Sequence, residues 1–238
     1  MNTASSSTTK DQINAIVIGG TGATGQKLIS QLLNNDSYGK VTSIGRKPVI
    51  DGDKYDKLSD IVVDSLSDLS LTKEHWNNHD VFFNCIGTTR KKAGSAQSFI
   101  DIEYGISKEA SKMASQAKIP HASLISAKGA NHEIWAANWI HPLLYMKTMG
   151  KKEQTILSDY SFKTVSVFKP GMLIRFPENK NFFERIFESN GSGLNVDILA
   201  SAMMQDAENV KSLSTNKSQR FFIGNQSIKN VVEKIIDE

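Results

Sequence analysis

An apolar run followed at once by a glycine-rich loop constrains this chain more than any other feature. Residues 13–18 read Ile-Asn-Ala-Ile-Val-Ile, and such a run, rich in β-branched side chains, indicates a strand buried on both faces of a parallel sheet. Residues 19–25 then read Gly-Gly-Thr-Gly-Ala-Thr-Gly, and residues 25–33 have the apolar spacing of a helix. The chain therefore opens with a strand, a glycine turn and a helix.

The same alternation continues to the C terminus. Further strands are predicted at residues 40–44, 60–63, 80–85, 121–125, 163–168 and 220–223, and further helices at 98–117, 142–157, 197–209 and 227–236. Strands that alternate with helices predict an α/β fold with a doubly wound parallel sheet of the Rossmann type. We predict one domain over residues 12–238, preceded by a disordered Ser/Thr-rich tail at 1–11. The irregular segment from about residue 171 is predicted to cover a substrate, because ligands bind beyond the carboxyl ends of the strands.

Composition and charge exclude several classes of protein. A net charge of +3 over 238 residues gives no basic face for nucleic acid, and the short cluster at residues 90–92 is typical of a solvated loop. The single cysteine, Cys85, excludes an intramolecular disulfide and fits a reducing compartment. No stretch approaches the roughly 18 apolar residues of a membrane span, and the N terminus lacks a secretory pattern. The expected location is the cytoplasm, with neither nucleic acid nor a membrane span involved.

The glycine loop has the spacing of a dinucleotide site. The three glycines of this spacing are Gly19, Gly22 and Gly25. The first permits a tight turn, the second a close approach to a pyrophosphate, and the third close packing of the helix on the strand. The N terminus of the following helix offers free N–H groups and a partial positive charge to phosphates. The loop therefore predicts dinucleotide binding, although a structural glycine turn in another α/β protein is the alternative. The other residues predicted to contact the cofactor here are Thr21, Ala23 and Thr24.

The end of the second strand distinguishes NADP from NAD. An NAD site usually has a carboxylate there for the ribose 2′-hydroxyl, whereas this chain has Arg46 and Lys47. A guanidinium can bind a 2′-phosphate through two hydrogen bonds, so we predict NADP(H) as the cofactor. Two solvated basic residues at a strand end are the alternative. Asp64, after the third strand, is a candidate acceptor for the adenine amino group.

Four further motifs resemble one family of enzymes. They are Asn84-Cys-Ile-Gly-Thr-Thr-Arg-Lys-Lys-Ala-Gly94, Leu124-Ile-Ser-Ala-Lys-Gly-Ala130, Leu144-Tyr-Met-Lys147 and Val167-Phe-Lys-Pro-Gly171. With the glycine loop they resemble the HIV Tat-interacting protein family of atypical short-chain dehydrogenases/reductases, from about residue 13 onward. The resemblance implies NADPH binding, with Gly87, Thr88 and Pro170 along the cofactor. It also admits association with the nuclear envelope or with mitochondria.

The resemblance implies a catalytic set of three residues, one of which is missing from this chain. Short-chain reductases use a tyrosine as proton donor, a lysine four residues later that lowers its pKa, and a serine that orients the carbonyl. Tyr145 and Ser126 occupy the matching positions, but the residue four places after Tyr145 is Met149. Lys147 is predicted on nearly the opposite side of the helix and Lys151 about 120° away, while Lys152 lies about 10 Å further along the axis. A shifted helical register could bring Lys151 into position.

Two functions therefore remain open from the sequence. One is an NADPH-dependent oxidoreductase acting on a small carbonyl compound, and the other is a non-catalytic NADP(H)-binding regulatory protein with an unknown protein partner. Cys85 is expected to be a small buried residue rather than a nucleophile, because no histidine stands near it in the sequence. The spacing of His121, His132 and His141 predicts no metal site.

Overall fold

The computed structural model describes residues 12–50, 55–175, 193–213 and 217–233, and a parallel sheet runs through them. Its strands are β1 (Ile13–Ile18), β2 (Tyr38–Gly45), β3 (Leu58–Val62), β4 (Val81–Asn84), β5 (His121–Ile125), β6 (Thr164–Lys169) and β9 (Ser218–Ile223). The strands lie in the order β3-β2-β1-β4-β5-β6-β9, and every neighbouring pair is parallel. This arrangement confirms the predicted doubly wound Rossmann sheet.

Helices cover both faces of the sheet. They are α1 (Ala23–Leu33), α2 (Arg90–Ala93), α3 (Ala96–Ile100), α4 (Ser107–Gln116), α5 (His141–Ser158), α6 (Val196–Ser212) and α7 (Gly224–Glu233). A π-helical segment, Asp101–Ile106, joins α3 to α4 without a break, and a 3₁₀ helix spans Ser70–Trp76.

The alternation of side chains along each strand builds two apolar cores. Val17 belongs to the cluster that packs under Leu28 of α1 and Met203 of α6. Its neighbour Ile16 faces the other way and joins the cluster with Met113 of α4 and Ile156 of α5. Because both faces of β1 are buried, the strand tolerates apolar residues at nearly every position, which is the reason for the continuous run in its sequence.

The sequence missed the short elements. β1 and β5 have the predicted bounds, whereas the 3₁₀ helix and α2 were not predicted. The helix predicted over 98–117 is present as α3, the π-helical segment and α4. A small parallel pair formed by β7 (Leu173–Ile174) and β8 (Leu194–Asn195) also lies where an irregular segment was expected. The tail at 1–11 and most of the predicted covering segment, residues 176–192, lie outside the described residues.

One glycine fixes how the loop after β5 packs on α5. A Cβ at Gly150 would overlap the backbone of Asn131 and His132. The same loop is held one turn earlier, where the Asn131 N–H donates to the Met146 carbonyl at 3.1 Å. The approach of loop to helix therefore depends on the missing side chain at position 150.

We expect Gly150→Ala to lower the free energy of unfolding by about 1–3 kcal/mol, because the added methyl group must displace backbone atoms. Urea denaturation monitored by circular dichroism measures the change. Gly105→Ala is the matched control, since a Cβ at that helical glycine meets no described atom within 4 Å. The control should be neutral or more stable by up to about 1 kcal/mol. Equal losses in both variants would contradict the proposed packing.

Candidate cofactor-binding and active site

The glycine loop closes tightly against the end of β4. Gly19 has φ +81°, and a Cβ there would lie 2.6 Å from the carbonyl carbon of Cys85. A Cβ at Gly25 would overlap the carbonyl oxygen of Gly19, so the first turn of α1 packs directly on the loop. A side chain at Gly19 would therefore push the loop away from the end of β4, and one at Gly25 would push α1 away from the loop.

This loop forms one wall of a groove of about 550 Å³ at the carboxyl ends of the strands. Gly19, Thr21 and Gly22 lie on one side, and residues 45–47 at the end of β2 lie on another. Arg46 and Lys47 are both exposed and line the groove together. Asp64 is exposed beyond β3 and is not among the groove-lining residues, so the structure does not bring it to the other candidates.

The residues of the groove fit a dinucleotide. The N-cap Gly22 leaves the start of α1 without a side-chain cap among the described residues, and the first turn reads Ala-Thr-Gly-Gln. Helix N–H groups are therefore available to phosphate oxygens, with no carboxylate in that turn to repel them. The arginine and lysine at the end of β2 supply positive charge at the rim.

The groove continues into a smaller pocket of about 210 Å³. Residues 85–88, which follow β4, line both spaces and so form their junction. Ala23 and Thr24 border the pocket on the side of α1, and the predicted catalytic residues Ser126 and Tyr145 lie across from them. The structure thus brings together all the predicted site residues except Gly25, which packs beneath the loop, and two others that line neither space, Asp64 and the buried Pro170.

Tyr145 stands in an environment that keeps its proton bound. Burial, with a smaller contribution from the Glu103 carboxylate, raises its pKa to about 12, while Arg175 acts in the opposite direction. Its ring packs against Phe99, with the ring centroids 6.0 Å apart. The helix is regular from residue 141 to 158, so no bulge brings Lys151 to the tyrosine, and Met149 is buried at the wall of the pocket.

Ser126 is engaged by a carboxylate that the sequence did not reveal. Its hydroxyl donates to Glu153, a buried residue of α5, and Lys169 at the end of β6 donates to the other oxygen of that carboxylate at 2.8 Å. A hydroxyl has one proton to donate. Ser126 must therefore turn away from Glu153 before it can donate to a substrate oxygen.

A second buried pair was also missed. Lys152 is buried on α5, and its ammonium donates to the Ile86 carbonyl at 2.8 Å and lies 3.5 Å from Glu103. Glu103 accepts from the Thr88 N–H through its other oxygen at 2.6 Å. The helical spacing predicted that Lys152 is no direct partner of Tyr145, but a contact between α5 and the loop after β4 has no signal in a single sequence.

Cys85 lines the junction but has no sign of activation. The thiol is buried, and burial raises its pKa to about 12, while Lys152 acts in the opposite direction. A thiol with so high a pKa is a poor nucleophile, because the thiolate is the reactive form.

Comparison with known proteins assigns the family. A family model described as NAD(P)H-binding matches residues 19–236. The chain belongs to this NAD(P)H-binding family. Protein FMP52, mitochondrial, of Debaryomyces hansenii is 30% identical over 182 residues, which cover 76% of each chain. Protein HTATIP2 of Rattus norvegicus is 30% identical over 162 residues, covering 68% of this chain and 63% of that protein. The resemblance to the Tat-interacting family of atypical short-chain dehydrogenases/reductases is thereby confirmed.

Solved structures share the fold at low sequence identity. MoeE5 in complex with UDP-glucose and NAD has a TM-score of 0.65 at 15% identity, covering 93% of this chain and 81% of that one. The oxidoreductase ylbE from Lactococcus lactis has a TM-score of 0.63 at 14% identity, covering 94% and 97%. These likenesses support a Rossmann fold.

Neither membrane spans nor metal clusters occur in the part of the chain that the structure describes. None of the helices within residues 12–50, 55–175, 193–213 and 217–233 is long and apolar enough to cross a membrane. In the same ranges, His, Cys, Asp and Glu side chains form no group of three that could hold a metal ion.

Proposed function

We propose that the protein is an NADP(H)-dependent oxidoreductase that reduces a small carbonyl compound. The observation that carries the proposal is the continuity between the groove, with Arg46 at its rim, and the pocket that holds Tyr145 and Ser126. A dinucleotide in the groove would extend from a basic rim to a partly buried proton donor. This is the order in which a reductase needs its phosphate-binding and proton-donating groups.

The preference for NADP(H) rests on the loop after β2. Arg46 and Lys47 border the groove, and the Val49 N–H donates to the Asp60 carboxylate at 2.8 Å, which fixes the loop that carries them. A carboxylate from the end of β2, the usual partner of an NAD ribose, has no counterpart in the sequence Gly45-Arg-Lys-Pro48. The basic side chains therefore favour the phosphorylated cofactor.

The chain's own chemistry favours reduction over oxidation. Bound NADPH would supply the hydride for the carbonyl carbon, and the carbonyl oxygen must then gain a proton. Tyr145, with its pKa raised to about 12, is protonated at physiological pH and can give that proton to an alkoxide, which is a stronger base. Oxidation of an alcohol would require the tyrosinate, which burial and Glu103 disfavour. The tyrosine regains its proton from solvent.

We expect Arg46→Ala to weaken NADPH binding about 10- to 100-fold, because a charged hydrogen-bonding group is worth about 1.5–3 kcal/mol. NADH binding should change less than twofold. Fluorescence titration of both nucleotides measures the two affinities. Lys40→Ala is the matched control, since Lys40 is exposed at the opposite end of the same strand. Equal affinity of the wild-type protein for NADPH and NADH would exclude the role of Arg46.

We expect Tyr145→Phe to lower NADPH oxidation against a panel of small aldehydes and ketones about 10²- to 10⁴-fold. Tyr160→Phe, at a partly exposed tyrosine beyond α5, should leave the rate unchanged. The wild-type rate should show no loss attributable to Tyr145 until the pH nears its pKa of about 12, because the neutral phenol is the donor.

Met149→Lys places an ammonium four residues after the tyrosine, so it should raise the rate and move the alkaline loss to lower pH.

The second candidate is a non-catalytic NADP(H)-binding protein that acts through a protein partner. The buried Met149, which stands where a short-chain reductase has its lysine, favours it. Nucleotide binding without turnover by the wild-type protein, and without gain in Met149→Lys, would support this function over the first.

The relatives also bear on where the protein acts in the cell. The relatives named FMP52 are described as mitochondrial, so we propose mitochondrial association as the alternative to the cytoplasm. Fractionation of cells that express the full chain distinguishes the two.

A further inference from the structure

We propose that Glu103 and Lys152 form a clamp that holds residues 86–88 in place for the nicotinamide half of NADP(H). The inference rests on the proposed function and extends it to two positioning residues. Neither is expected to touch the reacting atoms. They act through the backbone of the loop that joins the groove to the pocket.

The clamp binds the loop on both sides of Gly87. Lys152 donates to the carbonyl of Ile86 at 2.8 Å, and Glu103 accepts from the N–H of Thr88 at 2.6 Å. The Lys152 ammonium nitrogen lies 3.5 Å from a carboxylate oxygen of Glu103, so the two side chains that hold the loop also contact each other. Two consecutive peptide groups are therefore fixed by one ion pair.

Gly87 itself has little else to hold it. It is exposed, and a Cβ built on it would come no closer than 3.8 Å to its nearest described neighbour, an oxygen of Glu103. A glycine has the widest choice of backbone conformations, so a loop centred on one needs hydrogen bonds to keep a single shape. The clamp supplies these hydrogen bonds from the interior.

Stability alone does not account for a pair at this depth. The side chains of Lys152 and Glu103 are 1% and 2% exposed, and removing two charges from water costs several kcal/mol per ion before their attraction is counted. Such pairs are often replaceable by apolar residues without loss of stability. Their hydrogen bonds to two specified backbone groups point to a geometric role.

The positions of the two residues in their helices also support this role. Glu103 lies in the π-helical segment 101–106, and a π-helical turn inside an α-helix is frequently found at a functional site. Lys152 lies one turn after Met149 on α5, where its ammonium reaches the loop from below while Met149 lines the pocket. The chain thus has methionine at position 149, where the family's lysine is expected, and a buried cation three residues later that contacts the loop.

The loop occupies the end of the groove where the nicotinamide would lie. Residues 86–88 border both the groove and the pocket with Tyr145, whereas Arg46 lines only the groove. A ligand with only the adenosine half and its phosphates would therefore contact the basic rim and not depend on the clamp. This difference provides the test.

The experiment compares NADPH with adenosine 2′,5′-bisphosphate, which lacks the nicotinamide half, by calorimetric titration of the full chain. The variants are Lys152→Met, Glu103→Gln and the double variant, and Lys112→Met is the control at an exposed lysine paired with Glu109. We expect each clamp variant to lose at least tenfold in NADPH affinity and less than twofold for the bisphosphate. The control should match the wild type for both ligands.

The double variant separates positioning from charge balance. Both side chains are neutral in the double variant. If the pair only balanced charge, this variant would therefore bind NADPH with wild-type affinity, and that result would overturn the proposal. An equal loss for both ligands would also overturn it, because a general defect in the fold affects both halves of the groove. Glu103→Gln keeps the volume and one acceptor for Thr88, so it tests the clamp if Lys152→Met fails to fold. Wild-type protein that binds neither ligand would refute the proposed function, whereas wild-type binding with unaffected variants would refute the clamp alone.

Discussion

The close contact of Gly19 with the end of β4 is the constraint on which the rest of the site depends. β1 has β2 on one side and β4 on the other, and the chain leaves β2 and β4 toward opposite edges of the sheet. The loops after these strands diverge at this point and open the groove. Because a Cβ at Gly19 would lie 2.6 Å from the Cys85 carbonyl carbon, the glycine allows β1 to end directly against the loop that later carries Ile86, Gly87 and Thr88. The glycine loop and the loop after β4 thus share one backbone contact.

Beyond that contact, two buried charge networks lie beside the apolar residues of the site. Glu153 joins Ser126 to Lys169, and Glu103 joins the loop after β4 to Lys152. Each carboxylate has a cation and a neutral donor, so its charge is paired and its oxygens are hydrogen-bonded, which is the condition for keeping a charge in the interior. Lys169 joins the end of β6 to α5, and Lys152 joins α5 to the loop after β4. The side chains that shape the pocket therefore also fix the helix that carries Tyr145.

The fold could be predicted from the sequence because its signal is local. The apolar run at residues 13–18, the glycine spacing after it and the repeated alternation each depend on neighbours in the chain, and the structure has strands and helices where they predict them. The groove residues followed from the same logic, since strand ends of a parallel sheet meet at one edge. The short 3₁₀ helix and α2 have weak periodicity, so their existence depends on packing that a pattern does not record. The predicted helix over 98–117 is present, but its periodicity did not show that residues 101–106 form a π-helical segment.

The buried pairs could not be predicted for a different physical reason. Lys152 follows Lys151 in the chain, and the two have the same chemistry, yet one is buried and the other exposed. The position of the loop after β4 decides which ammonium has a backbone carbonyl to contact. That contact, between Lys152 and Ile86, joins residues 66 positions apart. The helical angle from Tyr145 ruled out a direct partner but could not show what else the lysine reaches.

The separation of Lys152 from Tyr145 has a chemical consequence for the family's reaction. In the arrangement with a lysine four residues after the tyrosine, one cation lowers the tyrosine pKa and so serves proton transfer in both directions. Here the buried cation contacts the Ile86 carbonyl, and the pKa of Tyr145 is raised to about 12. A tyrosine in that state can still give a proton to an alkoxide, but it is a poor acceptor for the proton of an alcohol. For the proposed reaction this state of the tyrosine favours carbonyl reduction over the reverse reaction, while the buried Lys152 contacts the loop after β4 instead.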